Sequence, residues 1–374
     1  MGRYYSRRQW LKTSALAAAG LVAGTNFPAC RPERSNPDQS SGEEKIIRLN
    51  SNENPYGISE KARKAIVHAM DQSNRYPDEH YSELKKLIAE KEKISPDHII
   101  LGAGSTEVMT MMIYSYGAHR EVLAASPTYF DFVDYAEKAG CDLRQVPLNE
   151  KFEHDLQAME KQIGPETGLI YICNPLNPTG TIVPKDRLLY FCEEASRKAL
   201  VAVDEAYHDY AEDGTYASML GLVQRGKNIV ITRTFSKIYG LAGLRVGYGM
   251  AHPDIIKNLE QRQMNFAPIA YPSLLAALAS YQDDEFCRFG RERNRFVKSY
   301  LYKQMEKQGF SYIPSDANFV LFKVNRDAKE TADDFKGHHV LVRPFSFLGG
   351  QWIRVSLGTM EEMRAFTSAL AEVF

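Results

Sequence analysis

The sequence predicts an α/β fold in which a mostly parallel sheet is covered by helices. Two observations lead there. Short, continuous Val/Ile/Leu runs recur along the middle of the chain, separated by segments with helical spacing. Polar, Pro- and Gly-rich stretches follow those runs directly rather than being scattered. Unbroken apolar runs suit strands buried on both faces, as in parallel sheets. Their alternation with helical segments gives a sheet packed beneath helices.

Taken in order, "EVLAAS" (Glu121 to Ser126), "GLIYIC" (Gly168 to Cys173), "ALVAVD" (Ala199 to Asp204), "NIVITRT" (Asn228 to Thr234) and "LRVGYGMA" (Leu244 to Ala251) read as strands. "PKDRLLYFCEEASRK" (Pro184 to Lys198) has helical spacing between two of them. "LGAGSTEVMTMMIYS" (Leu101 to Ser115) is an apolar residue, a glycine turn and then a helix that Ser105 is placed to cap. The free N–H groups and positive dipole end of such a helix favour an anion. Met109, Met111 and Met112 read as packing on that helix. No GKS or GKT follows the turn, so it is not a P-loop, and no dinucleotide GxGxxG is found there, which disfavours NAD.

The chain has 374 residues, a formal net charge of -1, 44% hydrophobic and 25% charged residues. This is ordinary globular composition, long enough for two domains, with no electrostatic footprint for nucleic acid. The N-terminus differs. "SRRQWLK" followed by "TSALAAAGLVAGT" has a basic start and a short Ala/Gly-rich apolar run. Residues 1–30 are therefore expected to be an export signal, with Arg7 and Arg8 resembling the twin-arginine type, and residues 31–45 a polar linker. The run is too short for a stable membrane span. Cys30, after "FPA", is a candidate lipid-anchor site, although the leucine usual three residues earlier is absent. The alternative is a cytoplasmic protein with an amphipathic N-terminal helix. Cys141, Cys173, Cys192 and Cys287 show no CxxC and no metal spacing, and His338 and His339 have no matching ligand cluster, so no metal is expected.

After Ser126 comes "PTYFDF", after Cys173 "NPLNPTG", at Asp204 "DEAY" and after Thr234 "FSK". In open parallel sheets ligands bind at the carboxyl edge of the strands, so these stretches predict one site.

The ordered set "LNSNENPYG", "NRYPD", "GAGSTE", "PTYFDF", "NPLNPTG", "VDEAY", "TFSKIYGLAGLR", "SDANFVL" and "IRVSLGT" resembles class I/II aminotransferases, pyridoxal-phosphate (PLP) enzymes of fold type I. "NENPYG" and "NRYPD" resemble the histidinol-phosphate aminotransferase subgroup. The resemblance runs from about Ile46 to the C-terminus. It implies a large PLP-binding domain over 75–266 and a smaller α/β domain built from 46–74 and 267–374.

It also implies roles. Lys237 holds the cofactor as a Schiff base, Asp204 pairs with the pyridine nitrogen, and Tyr207 and Asn177 hydrogen-bond the ring's phenolic oxygen. Tyr129 stacks on the ring. Ser105, Thr106, Thr234, Ser236 and Arg245 bind the phosphate, joined by Tyr76 from a neighbouring subunit in a homodimer with shared sites. Arg354 and Arg343 take the substrate's anionic tail, with Asn54, Tyr56 and Asn318 lining the same region. The implied partners are an amine or amino acid and a 2-oxo acid such as 2-oxoglutarate. A PLP lyase or decarboxylase would share Lys237, Asp204 and Arg245. A non-catalytic exported binding protein is the reading from a different class, and intact Lys237, Asp204 and Tyr207 argue against it.

Overall fold

The structure, a computed structural model, describes residues 46–211, 214, 216–263 and 268–374. The expected signal, linker and Cys30 lie outside the described residues, as does the expected domain boundary at 266.

The main sheet is built from β2 (Ile99–Gly102), β3 (Glu121–Ser126), β4 (Asp142–Pro147), β5 (Thr167–Cys173), β6 (Leu200–Asp204), β7 (Ile229–Thr234) and β8 (Gly247–Ala251). Before them, β1 (Ile47–Arg48) opens the described chain. The spatial order of the main sheet is β2-β8-β7-β6-β5-β3-β4. Strands β4, β3, β5, β6 and β7 are mutually parallel. The polar segments that follow β3, β5, β6 and β7 therefore share one edge, as predicted.

Alternate residues of each strand feed two separate cores. Ile170, Ile172, Val201, Val203, Ile229 and Ile231 enter one. Leu169, Tyr171, Cys173, Leu200, Ala202 and Val230 enter the other. A strand with side chains of period two and both faces covered has no polar position to offer, which is why these runs read as continuous apolar sequence.

The last predicted strand needs correction. It starts at Gly247, not Leu244, and it is antiparallel to both β7 and β2. Only a 3-10 turn over Ala242–Leu244 links Thr234 to Gly247, followed by Arg245 at φ 53. A parallel return would need a crossover, and none is present.

A second sheet has the order β12-β13-β10-β9, with β9 (Tyr312–Ile313), β10 (Phe319–Val324), β12 (Arg343–Phe347) and β13 (Gly350–Ser356), all antiparallel. Its core of Val320, Phe322, Ile353, Val355, Phe366 and Leu370 is closed by the helices Asp284–Lys307, Ala328–Gly337 and Met360–Val373. The short β11 (Val340–Leu341) pairs in parallel with β1. This ties the segment around Asn52 to the C-terminal sheet, and Leu49 O accepts from Ser356 N at 2.8 Å.

Candidate active site

A cavity of about 220 Å³ opens at the carboxyl edge of the parallel strands, lined in part by Ser105, Thr106, Tyr129, Asn177, Asp204, Tyr207, Thr234, Ser236, Lys237 and Arg245. Residues far apart in sequence meet here because β3, β5, β6 and β7 all end on this side.

Asp204 is the last residue of β6 and is 3% exposed. Register places it beside Cys173 of β5 and Thr232 of β7. Tyr171 Oη donates to its Oδ2 at 2.9 Å, and Thr232 Oγ1 donates to its Oδ1 at 3.0 Å. Burial raises the Asp204 pKa, opposed by those two hydrogen bonds and by Lys237. The carboxylate thus sits in a wall of the cavity, held by neutral donors, and suits a cationic N–H as its further partner.

Lys237 follows β7 and is half-buried in the cavity wall. Desolvation, reinforced by Arg354 and Arg245 and opposed by Asp204, lowers its pKa to about 8. A free lysine is almost wholly protonated at neutral pH, whereas this one presents a substantial neutral, nucleophilic fraction just above it. Its Nζ lies 5.6 Å from the centre of the Tyr207 ring.

The cavity also holds a cradle of donors. Ser105 and Thr106 open the helix Ser105–Met112, Ser236 N donates to Thr234 Oγ1 at 3.1 Å, and Arg245 Nη1 donates to Ser236 Oγ at 3.3 Å. Ser105 does not cap this helix. The cap position is Gly104, at φ 80, and no side chain caps it. A Cβ on Gly104 would overlap the Arg245 guanidinium, so glycine is what lets Arg245 reach the helix start. Helix N–H groups, hydroxyls and a guanidinium together suit a phosphate. The donor set, the aspartate and the depressed lysine fit a phosphorylated pyridine aldehyde.

Tyr129 caps no helix N–H; its phenol donates to Asp131 Oδ2 at 2.6 Å while it lines the cavity. Arg354, on β13, is 5% exposed. Its Nη1 donates to Asn177 Oδ1, its Nη2 to Asn50 O at 2.9 Å, and its guanidinium lies between the rings of Phe319 and Phe345, 5.3 and 5.5 Å from their centres. Burial lowers its pKa to about 10, opposed by Tyr207 and aided by Arg343. Arg343 is its exposed register partner on β12.

Three expected residues are placed elsewhere. Asn54 Nδ2 donates to Ile238 O at 2.8 Å and its Oδ1 accepts from Tyr56 N, so its amide is spent on bracing the loop after Lys237. The Tyr56 ring packs edge-on against Phe289, 5.1 Å away, and Asn318 Nδ2 donates to Asn52 O at 3.1 Å. None of the three lines the Lys237 cavity, and neither do Arg354 and Arg343; Arg354 meets it through Asn177. Tyr76 is 74% exposed and lies outside its own chain's cavity. Sequence reading missed Tyr171 and Thr232, whose only signal was their parity with Asp204 on one face of the sheet, and Asn52, hidden inside a motif prized for other residues.

Fold and cavity together describe a PLP enzyme of fold type I. The chain belongs to the class I and II aminotransferases, whose family model matches residues 44–370. Within that family it is similar to histidinol-phosphate aminotransferases. It is 38% identical to the one of Moorella thermoacetica over 335 residues, covering 89% of this chain and 86% of that protein. It is 36% identical to that of Caldicellulosiruptor saccharolyticus, covering 89% and 93%. Histidinol-phosphate aminotransferase from Sinorhizobium meliloti, solved in complex with pyridoxal 5'-phosphate, superimposes with a TM-score of 0.82 at 26% identity, covering 88% of this chain and 91% of that one. The protein is a PLP-dependent aminotransferase of the histidinol-phosphate aminotransferase type.

Proposed function

We propose that this enzyme takes the amino group of histidinol phosphate, or of a related amine or amino acid, and passes it to 2-oxoglutarate at the same site. The observation that carries this reading is the arginine pair. Arg354 is fixed and desolvated beside Asn177, and Arg343 stands opposite it in register. A phosphate tail on the donor and a second carboxylate on the acceptor need the same thing, two neighbouring guanidiniums, here set behind Asn177 of the cavity wall. The names of the relatives support the donor.

In this reading Lys237 anchors the cofactor, Asp204 faces its ring nitrogen, Tyr207 and Asn177 face its phenolic oxygen, and Tyr129 covers one ring face. Ser105, Thr106, Thr234, Ser236 and Arg245 hold the phosphate. Pyridoxal phosphate supplies an electron-withdrawing ring that takes up the electron pair left by the substrate's α-proton. Lys237 Nζ, displaced by substrate, accepts that proton and returns it, for which a pKa near working pH is suited. Exposed Tyr76 reaches the phosphate of a second copy, making the enzyme a homodimer. The division into a large domain over 75–266 and a smaller one over 46–74 and 267–374 belongs to the same reading. So does export by the N-terminal segment, which cell fractionation of the full chain would test. Among the described residues no helix is long and apolar enough to cross a membrane.

The test is a visible absorption titration of the cofactor-loaded protein, with Lys237→Ala as control. L-Histidinol phosphate should bleach the yellow form and 2-oxoglutarate should restore it. Bleaching only by another amine removes histidinol phosphate as donor. Release of ammonia or CO2 with no need for a 2-oxo acid replaces the transfer reading with a lyase or decarboxylase.

A further inference from the structure

Tyr207 Oη stands where two hydrogen-bond chains meet, and the far end of each sets the orientation of its amide. On one side, the backbone N–H of Asn52 donates to Ser356 Oγ at 2.8 Å. The Ser356 hydroxyl gives its own proton to Asn52 Oδ1, 3.0 Å away, and turning the amide over would leave that proton facing an NH2 group. Oδ1 is thereby the accepting end of the Asn52 amide, and Nδ2 is the end that faces Tyr207, donating to Oη at 3.0 Å. On the other side, Arg354 has no acceptor, and its Nη1 meets Asn177 Oδ1. The Asn177 Nδ2 group therefore faces Tyr207, 3.4 Å from Oη. Amide orientation is ordinarily a matter of assignment, but here the Ser356 proton and a guanidinium decide both.

Two N–H groups aimed at one phenol oxygen fill its acceptor capacity. The O–H must then be given in a third direction, and Tyr207 lines the Lys237 cavity. Asn52 suits the position for a second reason. Its backbone is left-handed, at φ 54, a conformation asparagine tolerates better than most side chains. It is 1% exposed, and its carbonyl accepts from Asn318 Nδ2 at 3.1 Å, so every polar group of the residue is used.

We propose that Asn52 is a positioning residue that makes Tyr207 an obligate hydrogen-bond donor into the cavity, toward the phenolic oxygen of pyridoxal phosphate. This rests on the family's cofactor and not on the identity of the amino donor. A donor at that oxygen favours its ionised form, so its loss should raise the pH at which the bound chromophore loses its proton.

The experiment is an absorption titration against pH of the cofactor-loaded protein without substrate, so that it stands or falls independently of histidinol phosphate. Tyr207→Phe should move the spectral midpoint up by about 1 pH unit, the scale of one hydrogen bond to a charged group. Asn52→Asp is isosteric but presents an acceptor that takes the phenol's proton, and it should shift the midpoint comparably. Added to Tyr207→Phe, it should shift it no further. Asn52→Ala, which removes a donor without adding an acceptor, should shift it less than Asn52→Asp. Ser356→Ala frees the Asn52 amide to turn, gives a smaller upward shift, and serves if Asn52→Asp does not load cofactor. A midpoint unmoved by Tyr207→Phe, or by both Asn52→Asp and Ser356→Ala, overturns the proposal. So does an Asn52→Asp shift that persists in full beside Tyr207→Phe, which would make it an effect of charge alone.

Discussion

Tyr171 and Asp204 meet through one hydrogen bond across the sheet, the phenol donating to Oδ2 at 2.9 Å from a ring with no exposed surface. Tyr171 is itself stacked on Phe132, ring centres 3.7 Å apart, so the donor cannot swing away. With Thr232 on the other oxygen, the carboxylate keeps its direction toward the cavity while paying a desolvation penalty.

That penalty has a pH signature. The folded-state pKa of Asp204 is raised above its unfolded value, so the folded form binds the extra proton. Its contribution is therefore neutral in acid and turns unfavourable as pH climbs above about 4 and through the folded value. Denaturant unfolding of cofactor-free protein should show Asp204→Asn gaining on wild type as pH rises. The same variant should bind PLP at least about tenfold more weakly, read by cofactor fluorescence, because the ring nitrogen loses its anionic partner.

Lys237 runs the other way. Its folded pKa, about 8, lies below the free value, so the stability cost of its desolvated ammonium is present below pH 8 and fades as pH rises through the window up to the unfolded pKa. The rate at which cofactor-free protein is modified by an amine-selective reagent at Lys237, followed by mass spectrometry, should rise with a midpoint near that value. Replacing Arg354 by Gln removes a repelling charge and should move the midpoint upward. A midpoint that stays or falls would show that Arg354 does not act on the lysine.

Gly104→Ala should damage cofactor binding more than folding. The position combines a positive φ, ψ 164 and contact with Arg245, a backbone region open essentially only to glycine at a cost of about 1–3 kcal/mol for other residues. The PLP dissociation constant should rise roughly tenfold or more. A thermal melt of the cofactor-free form separates this from general destabilisation.

Glu205→Gln should do the reverse. Glu205 is next to Asp204 but faces the other core, where its carboxylate accepts from Arg233 Nε at 2.9 Å, from Ser218 Oγ at 2.9 Å and from Met219 N at 2.9 Å. Arg233 also meets Glu92 at 2.7 Å, and both Arg233 and Glu205 are buried. Losing one of its two carboxylates leaves Arg233 paired with Glu92 alone, so the cost falls below the ~3–5 kcal/mol of a fully broken buried pair. Urea unfolding should register that loss, while PLP affinity stays within about threefold of wild type.

At the substrate end, Arg354→Lys should cost more than Arg343→Gln. Lysine cannot reach Asn177 and Asn50 together as the guanidinium fork does. Steady-state kinetics should show Arg343→Gln raising KM with kcat nearly kept, and Arg354→Lys lowering kcat/KM by about 100-fold or more.

The sequence by itself determined the α/β class, the strands β3, β5, β6 and β7 and the family. Those rest on local signals: unbroken apolar runs, glycine turns, and motifs whose residues are neighbours in the chain. It also made the stretches holding Asp204 and Lys237 legible as one site, because parallel strands bring their carboxyl ends together, while Arg245 entered only through the family resemblance. The tertiary structure decided the rest. The antiparallel turn of β8 came from a link with no crossover. The cap at Gly104 came from Arg245 arriving from across the sheet. Asn54 and Asn318 turned out to brace backbone and Tyr56 to pack on Phe289, since a side chain's target depends on which partner lies beside it. Asn52 and Tyr171 gained their importance the same way, through contacts between residues separated by more than a hundred positions (Asn52) or by a sheet register (Tyr171), and no local pattern encodes such distances.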